Sequence, residues 1–282
     1  MQIISLIDNL RSPEVPALTI EHGLSIAIIR GNQSILFDSG ESDAFLRNAS
    51  ILGVDISRVD AAVFSHHHND HCGGWAAFIG NNHTAPLFLR SLPQGDCTVR
   101  ILKIIRRDAG IDKSLLQQHP QRFHFIDQQT EILPGIFIIT QISRQHPVPR
   151  GNRFLFLEDG SNRQIDPFEH ELLLVIENNG RLVVFSGCSH RGILNVMDTV
   201  TACFPGTPIE AVFGGFHLIG MPILNTGGCT PQEITHLGKA LLEYPVKQYF
   251  TGHCTSQKGF HLLKPVMGER LEYFAAGCRI NI

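Results

Sequence analysis

The chain has 282 residues, 43% of them hydrophobic, enough to bury a large core as one domain or as two closely packed halves. Lys and Arg number 23 against 26 Asp and Glu, and the net charge of −3 supplies no electrostatic footprint for nucleic acid or for an anionic membrane, so a small-molecule partner is expected. The first residues, MQIISLIDNL, carry no basic n-region and reach Asp8 before any signal-length apolar run; with no later stretch long enough to span a bilayer, the sequence reads as cytoplasmic.

Apolar runs at 24–29 and 34–38 flank Gly31-Asn32 and predict a hairpin, because such a turn needs residues tolerant of positive φ. A helix is expected at 41–52, closed by Gly53, then a strand at 61–65 that delivers His66-His67-His68-Asn69-Asp70-His71 and a helix running through Trp75 and Phe78. The region 92–170 is the least legible: its polar stretches Arg106-Arg107-Asp108, Gln117 to Gln121 and Arg144 to Arg153 either cover a site or form solvated surface. A second hairpin is expected at 172–176 and 182–186 about Asn179-Gly180, followed by a helix at 192–203 and a strand at 209–213 leading into Gly214-Gly215-Phe216-His217. Thr230-Pro231 reads as an N-cap and first-turn proline opening a helix to about 243, and a strand at 247–251 ends at Gly252-His253. Two sheet-forming halves with helices predict an α+β protein, a four-layer α/β/β/α sandwich with its functional loops along one edge, residues 1–282 forming a single domain of two pseudo-equivalent halves.

The seven cysteines, Cys72, Cys97, Cys188, Cys203, Cys229, Cys254 and Cys278, form an odd set with no C-x-x-C pair and are expected to be mostly reduced core thiols. The fifteen histidines are the unusual count. In His66-x-His68-x-Asp70-His71 the first two imidazoles point the same way if the loop is extended, while Asp70 and His71 open a helix and offer a second ligand pair. Imidazole and carboxylate in this spacing suit two adjacent divalent metals: Zn2+ first, with Fe, Mn2+ or Mg2+ as alternatives. His190 and His253, each after a predicted strand among small residues, are the candidates for the remaining ligands.

The His-x-His-x-Asp-His run after a strand, Asp38-Ser39-Gly40 and the late Gly252-His253 resemble the metallo-β-lactamase superfamily of metal-dependent hydrolases. Asp8-Asn9, Glu21-His22-Gly23-Leu24-Ser25, Gly187-Cys188-Ser189-His190, Gly214-Gly215-Phe216-His217-Leu218 and His253-Cys254-Thr255 are similar to one branch of it, which includes archaeal 7,8-dihydropterin-6-methyl-4-(β-D-ribofuranosyl)aminobenzene-5′-phosphate synthase. The resemblance implies that His66, His68 and His190 hold one metal and Asp70, His71 and His253 the other, with Asp38 orienting a ligand histidine through a hydrogen bond. Many relatives take a ligand from the region of Ser143-Arg144-Gln145-His146-Pro147, or place a bridging Asp or a Cys ligand where Cys188 falls. His190, Cys188 and His146 therefore compete for one position, in that order of preference, and the other reading of Cys188 is an inert buried thiol.

The chemistry this implies is a metal-bound hydroxide aimed at an electrophile, with Asp70 orienting it, His217 donating to a phosphate or leaving group, and Glu21-His22 in the same wall. Phe216 and Trp75 are read as core. The expected function is a metal-dependent hydrolase acting on a phosphorylated small molecule. Transfer from a dihydropterin diphosphate to an aminobenzene ribofuranosyl phosphate needs the same constellation and is the first alternative. A non-enzymatic ligand sensor, a di-iron redox enzyme (for whose flavin domain 282 residues leave no room) and a nuclease are the others.

Overall fold

The computed structural model describes residues 1–101, 105–220 and 228–282, and the chain divides into two compact units. Unit 1 comprises Met1–Leu92, Ala109–Asp127 and Phe274–Ile282; unit 2 comprises Pro93–Asp108 and Gln128–Tyr273. In chain order the strands of unit 1 are β1 (Gln2–Ile7), β2 (Ser25–Arg30), β3 (Gln33–Phe37), β4 (Ala61–Val63) and β5 (Leu87–Leu89). Then come β6 (Asp96–Ile101) and β7 (Ile105–Asp108) of unit 2, and β8 (Phe123–Phe125) of unit 1. Unit 2 continues with β9 (Thr130–Leu133), β10 (Ile136–Ile139), β11 (Leu155–Asp159), β12 (Asn162–Ile165), β13 (Leu173–Asn178), β14 (Arg181–Ser186), β15 (Ile209–Phe213), β16 (Val246–Thr251) and β17 (Leu271–Tyr273), and β18 (Arg279–Asn281) returns to unit 1. The helices are α1 (Ala44–Ile51), α2 (Asn69–Cys72), α3 (Trp75–Asn81) and α4 (Ser114–Gln118) in unit 1, and α5 (Ile193–Cys203), α6 (Pro231–Leu242) and α7 (Ser256–Met267) in unit 2.

Each unit holds one mixed seven-stranded sheet, in the order β18-β1-β2-β3-β4-β5-β8 in unit 1 and β17-β16-β15-β14-β13-β10-β9 in unit 2. The pattern within them is the same: an antiparallel hairpin, β2-β3 or β13-β14, feeds a helix and then strands that run parallel to the second hairpin strand. Both hairpins fall where the turn residues predict. At the second, Asn178 pairs with Arg181 across Asn179 (φ 53°) and Gly180 (φ 73°), and positive φ at both central positions matches the twist of the flanking strands. The predicted strand at 209–213 is β15 to the residue. Helix α6 carries a full capping box, Thr230 with Glu233, behind Pro231. The helix expected through Trp75 and Phe78 is instead two pieces, α2 and α3, split at Gly73-Gly74, because a Cβ at either would meet backbone oxygens of the 39–42 segment within 2.3–2.6 Å.

Helices α1 and α3 bury Phe45, Phe78 and Trp75 against Leu6, Leu36 and Phe64 in unit 1; in unit 2, α5, α6 and α7 bury Val196, Leu241 and Leu263 against Val184, Val212 and Tyr249. Trp75 lies edge-on to Phe64 and Phe123, and Phe216 edge-on to Tyr249, both rings 1% exposed, so these aromatics are core as expected. All seven cysteines are reduced, as expected, with Cys72, Cys97, Cys188 and Cys254 buried. No helix among the described residues is long and apolar enough to cross a membrane.

The stretch 92–170 contains a separate sheet of unit 2, β12-β11-β6-β7. Arg106-Arg107-Asp108, expected as a loop, belongs to its edge strand, exposed along its length, so no hydrophobic alternation marks it. Here Glu158 accepts from the Nε of Arg100 (2.5 Å) and of Arg106 (2.8 Å), and chiefly the Arg100 bond draws its carboxyl down to about 2. A depressed carboxylate contributes stability above its ordinary value of 4.5 and loses it as the pH falls from there towards about 2. Arg106 is half exposed, so screening reduces this contribution to about 1 kcal/mol. Acid unfolding followed by circular dichroism should therefore show the wild type losing its advantage over Glu158→Gln across that interval; curves that stay parallel below pH 4.5 contradict the pairing.

Candidate metal centre

Parallel neighbours bring their C-terminal ends to one edge of a sheet, and in each unit this gathers the predicted site residues. In unit 1, Asp38 follows β3 and Ser65-His66 follows the adjacent β4, whose predicted end at residue 65 comes two residues early. The chain stays extended at His68 (φ −93°, ψ 146°), which caps α2. His66 and His68 accordingly fall on one side, their ring centroids 4.7 Å apart, and His71 comes within 4.2 Å of His66. His66, His68 and His71 are buried, while Asp70, 3.8 Å from His71 Nε2, keeps partial access to solvent.

Asp38 organises this group. Its Oδ1 accepts from the Ser65 backbone N–H (2.7 Å), and its Oδ2 accepts from the Ser65 hydroxyl (2.7 Å) and from His71 Nδ1 (2.6 Å). Because the hydroxyl proton goes to the carboxylate, His66 Nδ1 at 2.9 Å must donate to Ser65 Oγ. Both imidazoles are thus held in the tautomer that presents Nε2 for coordination. Of the Glu21-His22 wall, His22 comes within 3.4 Å of Asp70, whereas Glu21 accepts from the Glu41 and Ser42 N–H groups and the Ser42 hydroxyl before α1.

In unit 2 the parallel strands β14, β15 and β16 deliver, in turn, Cys188-Ser189-His190, His217 and His253. The donor atoms of Cys188, His190 and His217 lie within 4.8 Å of one another, and that of His253 lies as close to Cys188. The His190 and His217 ring centroids are 4.2 Å apart. His146 stands outside this group among the described residues: its Nε2 is 3.1 Å from Asp198 on α5, and its backbone N–H bonds Asn195. Of the three competitors for one ligand position, the fold groups Cys188 with His190 and engages His146 elsewhere.

The His190 loop is braced by residues that sequence reading missed. Asn152 donates to the His190 carbonyl (2.7 Å) and meets its Nδ1 at 3.0 Å, so Nε2 is again the nitrogen presented. Phe168 stacks on the ring at 3.9 Å and 11°. The buried Glu171 carboxylate accepts from the backbone N–H of both His190 and Arg191 (2.7 and 2.8 Å); desolvation nevertheless pushes its pKa up to about 7. Only Ser65, beside the histidine run, and Glu171, an acid directly before a wholly apolar strand, carried any signal in the sequence. Asp38, Ser189, His217 and His253 share a left-handed backbone, φ 57°, 55°, 45° and 43°, a conformation non-glycine residues hold only where surrounding bonds over-determine it.

A cavity of about 450 Å³ in unit 2 is lined by Pro147, Arg150, Ile193, Phe216, Leu218 and Leu237 among others, and Phe216 is the neighbour of His217.

Residues 18–86 match the family model described as the Metallo-beta-lactamase superfamily. Over 275 residues, 91% of this chain and 88% of the relative, the sequence is 26% identical to 7,8-dihydropterin-6-methyl-4-(β-D-ribofuranosyl)-aminobenzene-5′-phosphate synthase of Methanocaldococcus jannaschii. The structure is similar to that of Tm1679, a metal-dependent hydrolase of the β-lactamase superfamily, with a TM-score of 0.81 and 28% identity over 100% of this chain and 99% of that one. At the level of fold alone it is similar to Zn2+-bound PqqB from Methylobacterium extorquens, with a TM-score of 0.58 and 13% identity over the whole of both chains.

Proposed function

Because the chain belongs to the metallo-β-lactamase superfamily, we propose that it is a metal-dependent hydrolase of a phosphorylated small molecule, with His66, His68 and His190 holding one divalent ion and Asp70, His71 and His253 the other. The observation that carries this reading is the fixed tautomer of three histidines: Ser65, Asp38 and Asn152 bind Nδ1 of His66, His71 and His190, leaving Nε2 as the ligand atom. Such a donor set of imidazoles, one carboxylate and a nearby thiol fits zinc. Two divalent ions held by these residues would supply a metal-activated water near neutral pH and stabilise charge on a phosphate group.

Asp70, adjoining His71 and within reach of His22, is the carboxylate that orients the attacking water. His217 supplies the proton to the leaving group, its strained backbone holding the ring beside His190. Within unit 2, the Cys188 thiol lies close to the donor atoms of His190 and His253. The 450 Å³ cavity lined by Phe216 and Leu218, the residues that flank His217 in sequence, is of a size that suits an organic substrate. His217→Ala should keep its metal by elemental analysis and lose about 10²–10⁴-fold in kcat; loss of metal would make His217 a ligand instead of an acid.

A second reading, favoured by the 26% identity to the synthase, is transfer from a dihydropterin diphosphate to an aminobenzene ribofuranosyl phosphate. Turnover of phosphoesters and of a dihydropterin diphosphate in ¹⁸O-labelled water separates the two. Hydrolysis places the label in product, whereas transfer releases unlabelled diphosphate and joins the two organic fragments. No metal-dependent turnover of either class would overturn both readings.

A further inference from the structure

His22, in unit 1, is held the opposite way round from His66 and His71. Asn9 Oδ1 accepts the Gly23 backbone N–H at 3.3 Å, which fixes the amide with its Nδ2 towards His22, and that group donates to His22 Nδ1 at 3.2 Å. Asn9 is itself placed by Asp8, which is buried and accepts the Leu10 N–H at 2.9 Å. With Nδ1 as the acceptor, the neutral ring carries its proton on Nε2, and Nε2 lies 3.4 Å from Asp70 Oδ2.

In His66 and His71 the Nδ1 bonds leave Nε2 with a lone pair for coordination, whereas at His22 the same nitrogen is a donor and has no lone pair to give a metal. The backbone also brings the two residues together. The Leu24 N–H bonds the Asp70 carbonyl at 3.2 Å, and a Cβ on Gly23 would stand 2.5 Å from that same oxygen, so only glycine lets the 22–24 segment come this close. The side chains meet on the open side of the histidine group: His22 is 47% exposed and Asp70 15%, whereas His71 and Asp38 are fully buried. An exposed pair of this kind contributes little to stability, so a network that fixes the ring's tautomer points to the aim of the carboxylate, not to holding the fold.

We propose that His22 is a positioning residue: its Nε2–H, set by Asn9, donates to Asp70 Oδ2 and holds the carboxylate turned so that its remaining lone pairs face the ion and the attacking water. The inference rests on the reading of Asp70 as a metal ligand that orients water. Its logic is that of Asp38 and His71 with the partners exchanged: there a carboxylate fixes an imidazole, and here an imidazole fixes a carboxylate. It also gives the segments Asp8-Asn9 and His22-Gly23, remote from the histidine run in sequence, a place in the chemistry.

Long-range ¹H–¹⁵N correlation spectra of the Zn2+-loaded, ¹⁵N-histidine-labelled protein test the tautomer directly. With its signals identified by their loss in His22→Gln, His22 should be protonated at Nε2 and bare at Nδ1, the reverse of His66 and His71. Elemental analysis of His22→Ala should give the wild-type metal content, while its kcat falls about 10–100-fold with KM unchanged, on whichever phosphoester the wild type turns over. His22→Gln, whose amide can donate from the place of Nε2, should recover most of that rate. A proton on Nδ1, loss of an ion from His22→Ala, or a His22→Gln variant as slow as His22→Ala overturns the assignment. Should the wild type turn over no phosphoester, the hydrolase reading fails, while the tautomer and the metal count still decide the role of His22.

Discussion

Replacing His71 with alanine is expected to strip metal from the protein and to abolish turnover. His71 is fully buried, and its Nδ1 lies 2.6 Å from Asp38, so deleting the ring removes a proposed ligand and also a hydrogen-bond donor to a buried carboxylate. An underserved buried acceptor costs about 1–3 kcal/mol, more for a charged group, so the melting temperature should fall alongside the metal content. The two effects separate in Asp38→Asn, which retains the ring but loses the charged acceptor that orients it. There metal affinity should fall about 10–100-fold, read by competition with a chelator, while the ligand itself remains. Normal metal content and rate in His71→Ala would falsify the assignment of the unit 1 ligands.

The sequence made the proposed ligands more legible than their supports. The His66–His71 run announces itself because four donors share a few residues behind an apolar strand, and His190 and His253 stand at strand ends among Gly, Ser and Cys. Asn152 and Glu171 stand 38 and 19 residues from the histidine they hold, and no local spacing encodes that distance. The same limit explains the four-stranded sheet of unit 2. Strands β7 and β12 are exposed throughout, and a strand without a buried face has no period-two pattern to read. Hairpins and the capped helix α6 are recoverable because their signals, Asn179-Gly180 and Thr230-Pro231, lie within two residues. Strand β1, the short strands β17 and β18, and helix α7 carry no such mark. Helix α7 has Pro265 inside it, and β17 and β18 have only three residues each.

Gly214→Ala is expected to be the most damaging single-methyl change in unit 2. At φ +142° a Cβ would stand 1.9 Å from the carbonyl oxygen of Ser186 and 2.8 Å from its carbon, both backbone atoms that cannot rotate aside. The surroundings are fixed as well. The Gly214 N–H bonds the Phe250 carbonyl, Thr251 Oγ1 donates to the Gly214 carbonyl, and the Gly215 N–H bonds the Gly187 carbonyl, so the ends of β14, β15 and β16 are joined backbone to backbone at this point. Thr255 extends the link by accepting the Phe216 N–H and bonding Thr251. Relieving the overlap must displace the loops that carry Cys188, His190 and His217, and a cost of roughly 4 kcal/mol or more follows from strained φ and backbone collision together. Gly206→Ala supplies the comparison, since Gly206 also has positive φ (+76°) but no atom within 4 Å of the place a Cβ would occupy; it should cost only about 1–2 kcal/mol. Urea unfolding of the two variants, paired with metal content of the folded fraction, should show Gly214→Ala alone losing both stability and metal. Equal costs would mean that the close approach of strands at Gly214 does not hold the ligand loops in register.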